Sequence, residues 1–174
     1  MAQRRGRRRG VVFGRLGPEL LADPLAFLTA EHHRQGALVG HLERLARHPD
    51  GPGTRALATA LAEWLEVELP RHVQDEERCL HARLEPFDSR GLLPRLRQDH
   101  AEESRTVRPL VADLRAIATH RPPGPDFATN ALRFAAAFRA HLAVEEAEVT
   151  PLARHVLPPE VLADIAAELA ARRT

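Results

Sequence analysis

Residues 92–119, LLPRLRQDHAEESRTVRPLVADLRAIAT, decide the fold. Steps of three and four along this stretch pick out Leu93, Leu96, His100, Glu103, Val107, Leu110, Leu114 and Ile117. That is the stripe a helix turns toward its neighbours in a bundle. It is apolar at both ends and polar at its centre.

Three more segments of similar character lie on either side. One runs from about Pro24 to Arg47 and stops at HPDGPG, residues 48–53. The next runs from Thr54, a plausible N-cap, to about Leu84 and stops at EPFDSRG, residues 85–91. After HRPPGP (120–125), the last begins behind Asp126, another plausible cap, and reaches about Val156. Pro158-Pro159 then precedes a short helix of roughly residues 160–172. Polar caps in front and Gly or Pro behind are the usual punctuation of helices, and the β-branched alternation of strands is missing. Long helices joined by short breaks predict an all-α, up-down-up-down four-helix bundle with a short C-terminal fifth helix. Two prolines, Pro70 and Pro151, fall inside helices, and each removes a backbone hydrogen bond and should kink its helix.

Composition sets the outer limits. The chain has 174 residues, 25 basic and 24 acidic, with ten His, one Cys and no Tyr. The length suits one domain with its own core. One Cys allows no internal disulfide. No apolar run approaches the roughly 18 residues of a membrane helix, and the start lacks the apolar stretch of a signal peptide. The expectation is a soluble cytoplasmic protein with no membrane partner. Every basic residue is Arg, and six of them (4, 5, 7, 8, 9 and 15) precede the first acid. The remainder carries 19 basic against 24 acidic residues. The even balance therefore divides into an acidic body and a basic, disordered N-terminal tail, residues 1–18. Such a tail could touch nucleic acid or acidic lipid, but a solvated start is the simpler reading, so nucleic acid is not an expected partner.

All four seams carry a His near the middle. The first helix contributes Leu25, Leu28, His32, Gln35, Val39 and Leu42, and the second Leu61, Leu65, Leu69, His72, Glu76 and Leu80. The fourth contributes Phe127, Ala131, Phe134, Phe138, His141, Glu145, Glu148 and Leu152. A lone His on an apolar stripe is usually a core residue satisfied by one neighbour. Four at once, with two carboxylates, are costly to bury unless paired or metal-bound. The spacings repeat: His32 to His100 is 68 residues, His72 to His141 is 69, and Glu76 to Glu145 is 69. One helical hairpin used twice would bring four His and two Glu together at mid-bundle with pseudo-two-fold symmetry. Imidazole with carboxylate favours Fe, Mn or Zn, and two-fold sharing of carboxylates favours a bridged pair of ions.

These residues resemble the hemerythrin-like (HHE cation-binding) family over about residues 23–157. The four motifs are AEHHRQGALVGHLERL (30–45), ELPRHVQDEERCL (68–80), LRQDHAEES (96–104) and RAHLAVEEAEVTPLARH (139–155). Any one of them is weak; the ordered set is specific. The resemblance implies a four-helix bundle around a non-haem di-iron centre in residues 19–174. Carried over by position, Glu76 and Glu145 would bridge, His32 and His72 would serve one metal, and His100 and His141 the other. His32 is preferred to His33, which shares its face with Ala26, Thr29 and Gly40. Oxygen-carrying hemerythrins have another His where this chain has Ser104. Glu103 is expected either to fill that place as a metal ligand or to orient one. His81, five residues after Glu76, is expected outside the site, Glu148 is a weak candidate, and the other His look incidental.

The expected cofactor is two iron ions, with Mn or Zn as alternatives, and the expected function is to bind, sense or react with O2, NO or peroxide. The alternative is an iron-sensing or regulatory module whose metal occupancy controls a protein partner; a homodimer is also open. No nucleophile–base constellation, phosphate loop or Cys-rich metal motif supports a hydrolase or nucleotide-dependent enzyme.

Overall fold

A computed structural model describes Gly14 and residues 16–173. Residues 1–13 and 15 of the expected basic tail lie outside the described residues. The described chain is helical and has no strand. Helix α1 is Pro24–Arg47, α2 spans residues 54–84, α3 is Leu92–Ala118, α4 spans residues 127–156 and α5 is Pro159–Ala171. Short 3₁₀ turns occupy Pro18–Ala22 and Glu85–Phe87. No helix among the described residues is long and apolar enough to cross a membrane.

The helix starts correct the expected caps. Thr54 is the first helical residue of α2, behind Gly53 in the left-handed region (φ 84°), and its hydroxyl donates to the Gly51 carbonyl at 2.8 Å. Asp126 stands at the N-cap of α4 without a side-chain cap bond. Two other aspartates do the capping. Asp23 accepts from the Leu25 and Ala26 N–H groups of α1, and Asp88 reaches past Gly91 (φ 68°) to accept from Leu92 and Leu93. Each satisfies amides that the first turn leaves without partners.

Pro70 follows a π turn at Trp64–Glu68, and Pro151 follows one at Glu145–Val149. In both, the N–H of the next residue reaches back five positions, Leu69 to Trp64 and Thr150 to Glu145. The wider turn takes up the missing donor and the ring without ending the helix. A third internal proline, Pro109, lies in α3. A third π turn, Glu76–His81, interrupts α2. Glu76 and Glu145 thus each open a π turn.

Two apolar cores fill the bundle. Leu25, Phe27, Leu28, Leu80, Leu84, Leu93, Leu96, Val149, Ala153, Ile165 and Leu169 form one. Leu42, Leu61, Trp64, Leu65, Leu110, Leu114, Phe134 and Phe138 anchor the other. In α1 and α3 the first core precedes the central His and the second follows it; in α2 and α4 the order is reversed. The seam His and Glu residues therefore sit in a polar layer between two dry regions. Helix α1 packs on α2 and α4, α3 packs on the same two, and α5 lies against α1 and the π turn Glu76–His81.

Candidate metal centre

Between the two cores, six of the seven expected residues come together. His32, His72, His100, His141, Glu76 and Glu145 are each at most 5% exposed. All four imidazoles turn Nε2 inward, toward the two carboxylates. Glu76 Oε1 lies 3.0 Å from His32 Nε2 and 2.9 Å from His72 Nε2. Its other oxygen lies 3.4 Å from His100 Nε2. Glu145 divides itself in the same way: Oε2 is 3.4 Å from His32, while Oε1 is 3.3 Å from His141 and 3.9 Å from His100. His100 and His141 meet Nε2 to Nε2 at 3.0 Å. The donors form two sets, each with atoms within 4.8 Å of one another: His32, His72, Glu76, Glu145, and Glu76, His100, His141, Glu145. Both glutamates belong to both sets.

The outward nitrogens repeat the two-fold pattern. His72 donates through Nδ1 to Glu31 Oε2 at 3.0 Å, and His100 through Nδ1 to Glu77 Oε1 at 2.9 Å. His32 Nδ1 faces Glu146 at 3.9 Å, and His141 Nδ1 faces Asp99 at 3.9 Å. Glu31 and Asp99 precede His32 and His100; Glu77 and Glu146 follow Glu76 and Glu145. A carboxylate that holds Nδ1–H leaves the Nε2 lone pair pointing inward, the arrangement that orients a ligating His.

Without an ion, protons hold this layer together. Burial alone would depress each imidazole pKa, but the carboxylates outweigh it. Glu76 and Glu31 hold His72 well above its usual range. Glu76, Glu77 and Glu145 bring His100 up to about 9. Glu145, Glu103 and Glu76 raise His141. Glu76, which burial pushes up, is held well below the carboxylate range by His72, His100 and His32.

Glu103 is buried but lies outside both donor sets. Its Oε1 is 4.0 Å from His141 Nδ1, the outward nitrogen, and burial lifts its carboxyl to about 7 against the pull of His141 and His100. Of the two readings open for Glu103, its position fits orienting His141. Its counterpart in the first half is Gln35, which is also buried. Ser104 is exposed, beside Glu103 on a cavity of about 220 Å³ that reaches His100 between α2 and α3. His33 is 73% exposed, and Glu148 pairs with Arg90 away from the cluster.

His81 joins neither donor set, as its spacing from Glu76 implies, but it lies against the polar layer. It is fully buried, its ring stacks parallel to His100 (3° between planes, centroids 6.2 Å apart), and its Nε2 stands 3.9 Å from Glu145 Oε1. The cause is the π turn. Five residues along an α-helix rotate a side chain well off the face of Glu76, but a turn closed by i→i+5 contacts returns it nearly above. The same slip in α4 buries Val149 and Ala153 instead of the expected Glu148 and Leu152. Pro151 is a sequence signal for the second slip; at the equivalent place after the first stands Ala82, which gives none.

Several cluster atoms lack a hydrogen-bond partner, among them Glu76 Oε2, both Glu145 oxygens and His72 Nε2, which is near Glu76 but poorly aligned with it. Buried carboxylate oxygens without donors, ringed by imidazole nitrogens, fit cations. Residues 23–153 match the family described as Hemerythrin HHE cation binding domain, so the chain belongs to that family. No curated protein and no solved structure gives a significant match to it.

Proposed function

We propose that this protein holds a dinuclear non-haem iron centre and uses it to bind or react with a small molecule such as O2, NO or peroxide. One observation carries the reading: Glu76 and Glu145 each offer one oxygen to the His32–His72 side and one to the His100–His141 side. In this reading His32, His72, His100 and His141 ligate through Nε2, the two glutamates bridge, and Glu103 orients His141. Mn or Zn suits the same donors. The alternating order of the two cores along the helices supports an up-down-up-down course within a single domain of residues 19–174.

Bound iron would supply the redox and ligand-binding chemistry. The chain contributes the rest. Glu31 and Glu77 hold His72 and His100 through their Nδ1 hydrogen bonds, Glu146 and Asp99 face His32 and His141 with opposite charge, and the two cores keep bulk water from the layer. The cavity beside Ser104 brings small molecules to His100. Metal analysis of anaerobically purified protein, followed by optical spectra on adding O2, NO and peroxide, tests the reading. We expect about two iron per chain, lost in the Glu76→Ala/Glu145→Ala double variant. Absence of bound metal after iron supplementation would refute it.

A second reading, a module whose metal state is read by a partner, draws on the C-terminus. Arg173 donates to Glu31 at 3.2 Å and to Asp75 at 2.6 Å, and Arg172 donates to Asp75 at 2.5 Å. Glu31 in turn holds His72. The end of α5 is therefore tied to the centre through one carboxylate. Metal-dependent partner binding without turnover of NO or peroxide would favour this second reading.

A further inference from the structure

His81 is the side chain for which the six-residue centre has no use. It is fully buried, and neither ring nitrogen has a hydrogen-bond partner. A buried imidazole that serves only as core normally donates to a carbonyl or a neighbouring side chain. Here the nearby polar atom is Glu145 Oε1 at 3.9 Å, too far for a hydrogen bond. The distance also argues against ligation. His81 joins neither donor set, although the atoms in each set lie within 4.8 Å of one another. Its nitrogen stands about one hydrogen bond outside the centre and is aimed toward it.

The charge of the site indicates what could occupy that gap. Two divalent or trivalent ions carry more charge than the two inward glutamates neutralise. The carboxylates of Glu31, Glu77, Glu146 and Asp99 stand behind the imidazoles, so the inner face of the centre favours an anionic donor. Each ion would also draw on only two His and the shared carboxylates, leaving room for an outside donor. Resting on the dinuclear reading above, we propose that His81 is the hydrogen-bond donor for a small anion that enters the centre beside Glu145 and His100. The other half has no matching imidazole, since the equivalent position in the repeat is Thr150. Small anions with lone pairs facing His81 gain a directed N–H. Ligands without a hydrogen-bond acceptor gain nothing.

Iron-loaded protein and azide, as the probe, provide the test. Metal content is measured first: about two iron per chain in the wild type upholds the centre, and its absence overturns that reading and this one before azide is added. Azide is then titrated optically into wild type, His81→Leu and His81→Gln. Both variants should keep two iron. Azide affinity should fall about ten-fold or more in His81→Leu and less in His81→Gln, which retains a donor. Unchanged affinity in His81→Leu overturns the proposal. Loss of iron from a folded His81→Leu or His81→Gln variant overturns it too, because it makes His81 a ligand. The wild type supplies a check independent of folding: the infrared stretch of bound azide should shift between H2O and D2O, and no shift overturns the proposal.

Discussion

Raising the pH of the metal-free protein should loosen it, and the size of the effect follows from His100. The carboxyls of Glu76, Glu77 and Glu145 outweigh burial and bring its pKa from 6.5 to about 9. A folded value above the unfolded one means stability that is fully present below pH 6.5 and is lost as the pH rises through about 9. At 1.36 kcal/mol per unit, His100 alone contributes roughly 3 kcal/mol. His72 and His141 are raised in the same direction and add to the loss. Glu103, lifted to about 7, costs stability between pH 4.5 and 7, again with the same sign. The opposing shifts fall lower. Glu76 is depressed, so its contribution is present above pH 4.5 and fails only in acid, and depressed His81 matters only below 6.5.

Urea unfolding of chelator-treated and iron-loaded protein at pH 6.5, 8 and 9.5 measures this. The metal-free form should lose about 3 kcal/mol or more over that range, equivalent to roughly 6–12 °C in melting temperature for a domain of this size. The loaded form should change little, because the ion has already displaced the protons, and its advantage over the metal-free form should grow with pH. His100→Gln should flatten the metal-free curve by about the His100 share. A metal-free stability that is flat or rising from pH 6.5 to 9.5 would refute the imidazolium–carboxylate account.

Glu77→Ala, which frees His100 Nδ1, should weaken iron binding about 10–100-fold while the helix content by circular dichroism stays unchanged. Glu103→Gln should leave two iron per chain by metal analysis; loss of an ion would make Glu103 a ligand after all. Arg173→Ala strips the buried Asp75 carboxylate of one of its two guanidinium partners and should destabilise the fold by about 3 kcal/mol in chemical unfolding. Adding Asp75→Asn should recover part of that loss, since the uncompensated charge is gone. His33→Ala should leave iron content unchanged, whereas His32→Ala should lower it.

Periodicity made most of the bundle readable. The seam residues of α1 and α3 follow steps of three and four through regular helix, so His32, His100 and Glu103 were placed inward by counting alone. His141 and Glu145 follow the same count because they precede the slip in α4, and His72 and Glu76 keep their mutual i, i+4 spacing in the regular turn between the π turns Trp64–Glu68 and Glu76–His81. Beyond Glu76 and Glu145 the π turn adds a residue, and counting by 3.6 still finds Leu80 but not every buried position. That is why His81, Cys79 and Val149 were missed as interior positions and Glu148 was drawn toward the seam. The caps failed for a different reason. Asp88 reaches its amides from four residues away, across a left-handed Gly91, which a search for a cap immediately before the helix does not find.

The duplication extends further than the six inward residues, and the places where it breaks are informative. Glu31 and Asp99, Glu77 and Glu146, and the π turns at Glu76 and Glu145 all have partners in the other half. Those paired groups carry or fix the charges, a task both ions would share equally. Glu103 stands where the first half has Gln35, Ser104 where it has Gly36, and His81 where the second half has Thr150. Glu103 faces His141, Ser104 borders the cavity that reaches His100, and His81 stacks on His100. A symmetric frame surrounds the layer; these three asymmetric groups stand on the His100–His141 side, and Asp75 with Arg172 and Arg173 marks the His72 side. In the proposed function a small molecule would meet two chemically different halves: the pair at His32 and His72, and the pair at His100 and His141, which has a cavity, a titratable carboxyl and an unused imidazole. Reactivity is best sought at the second.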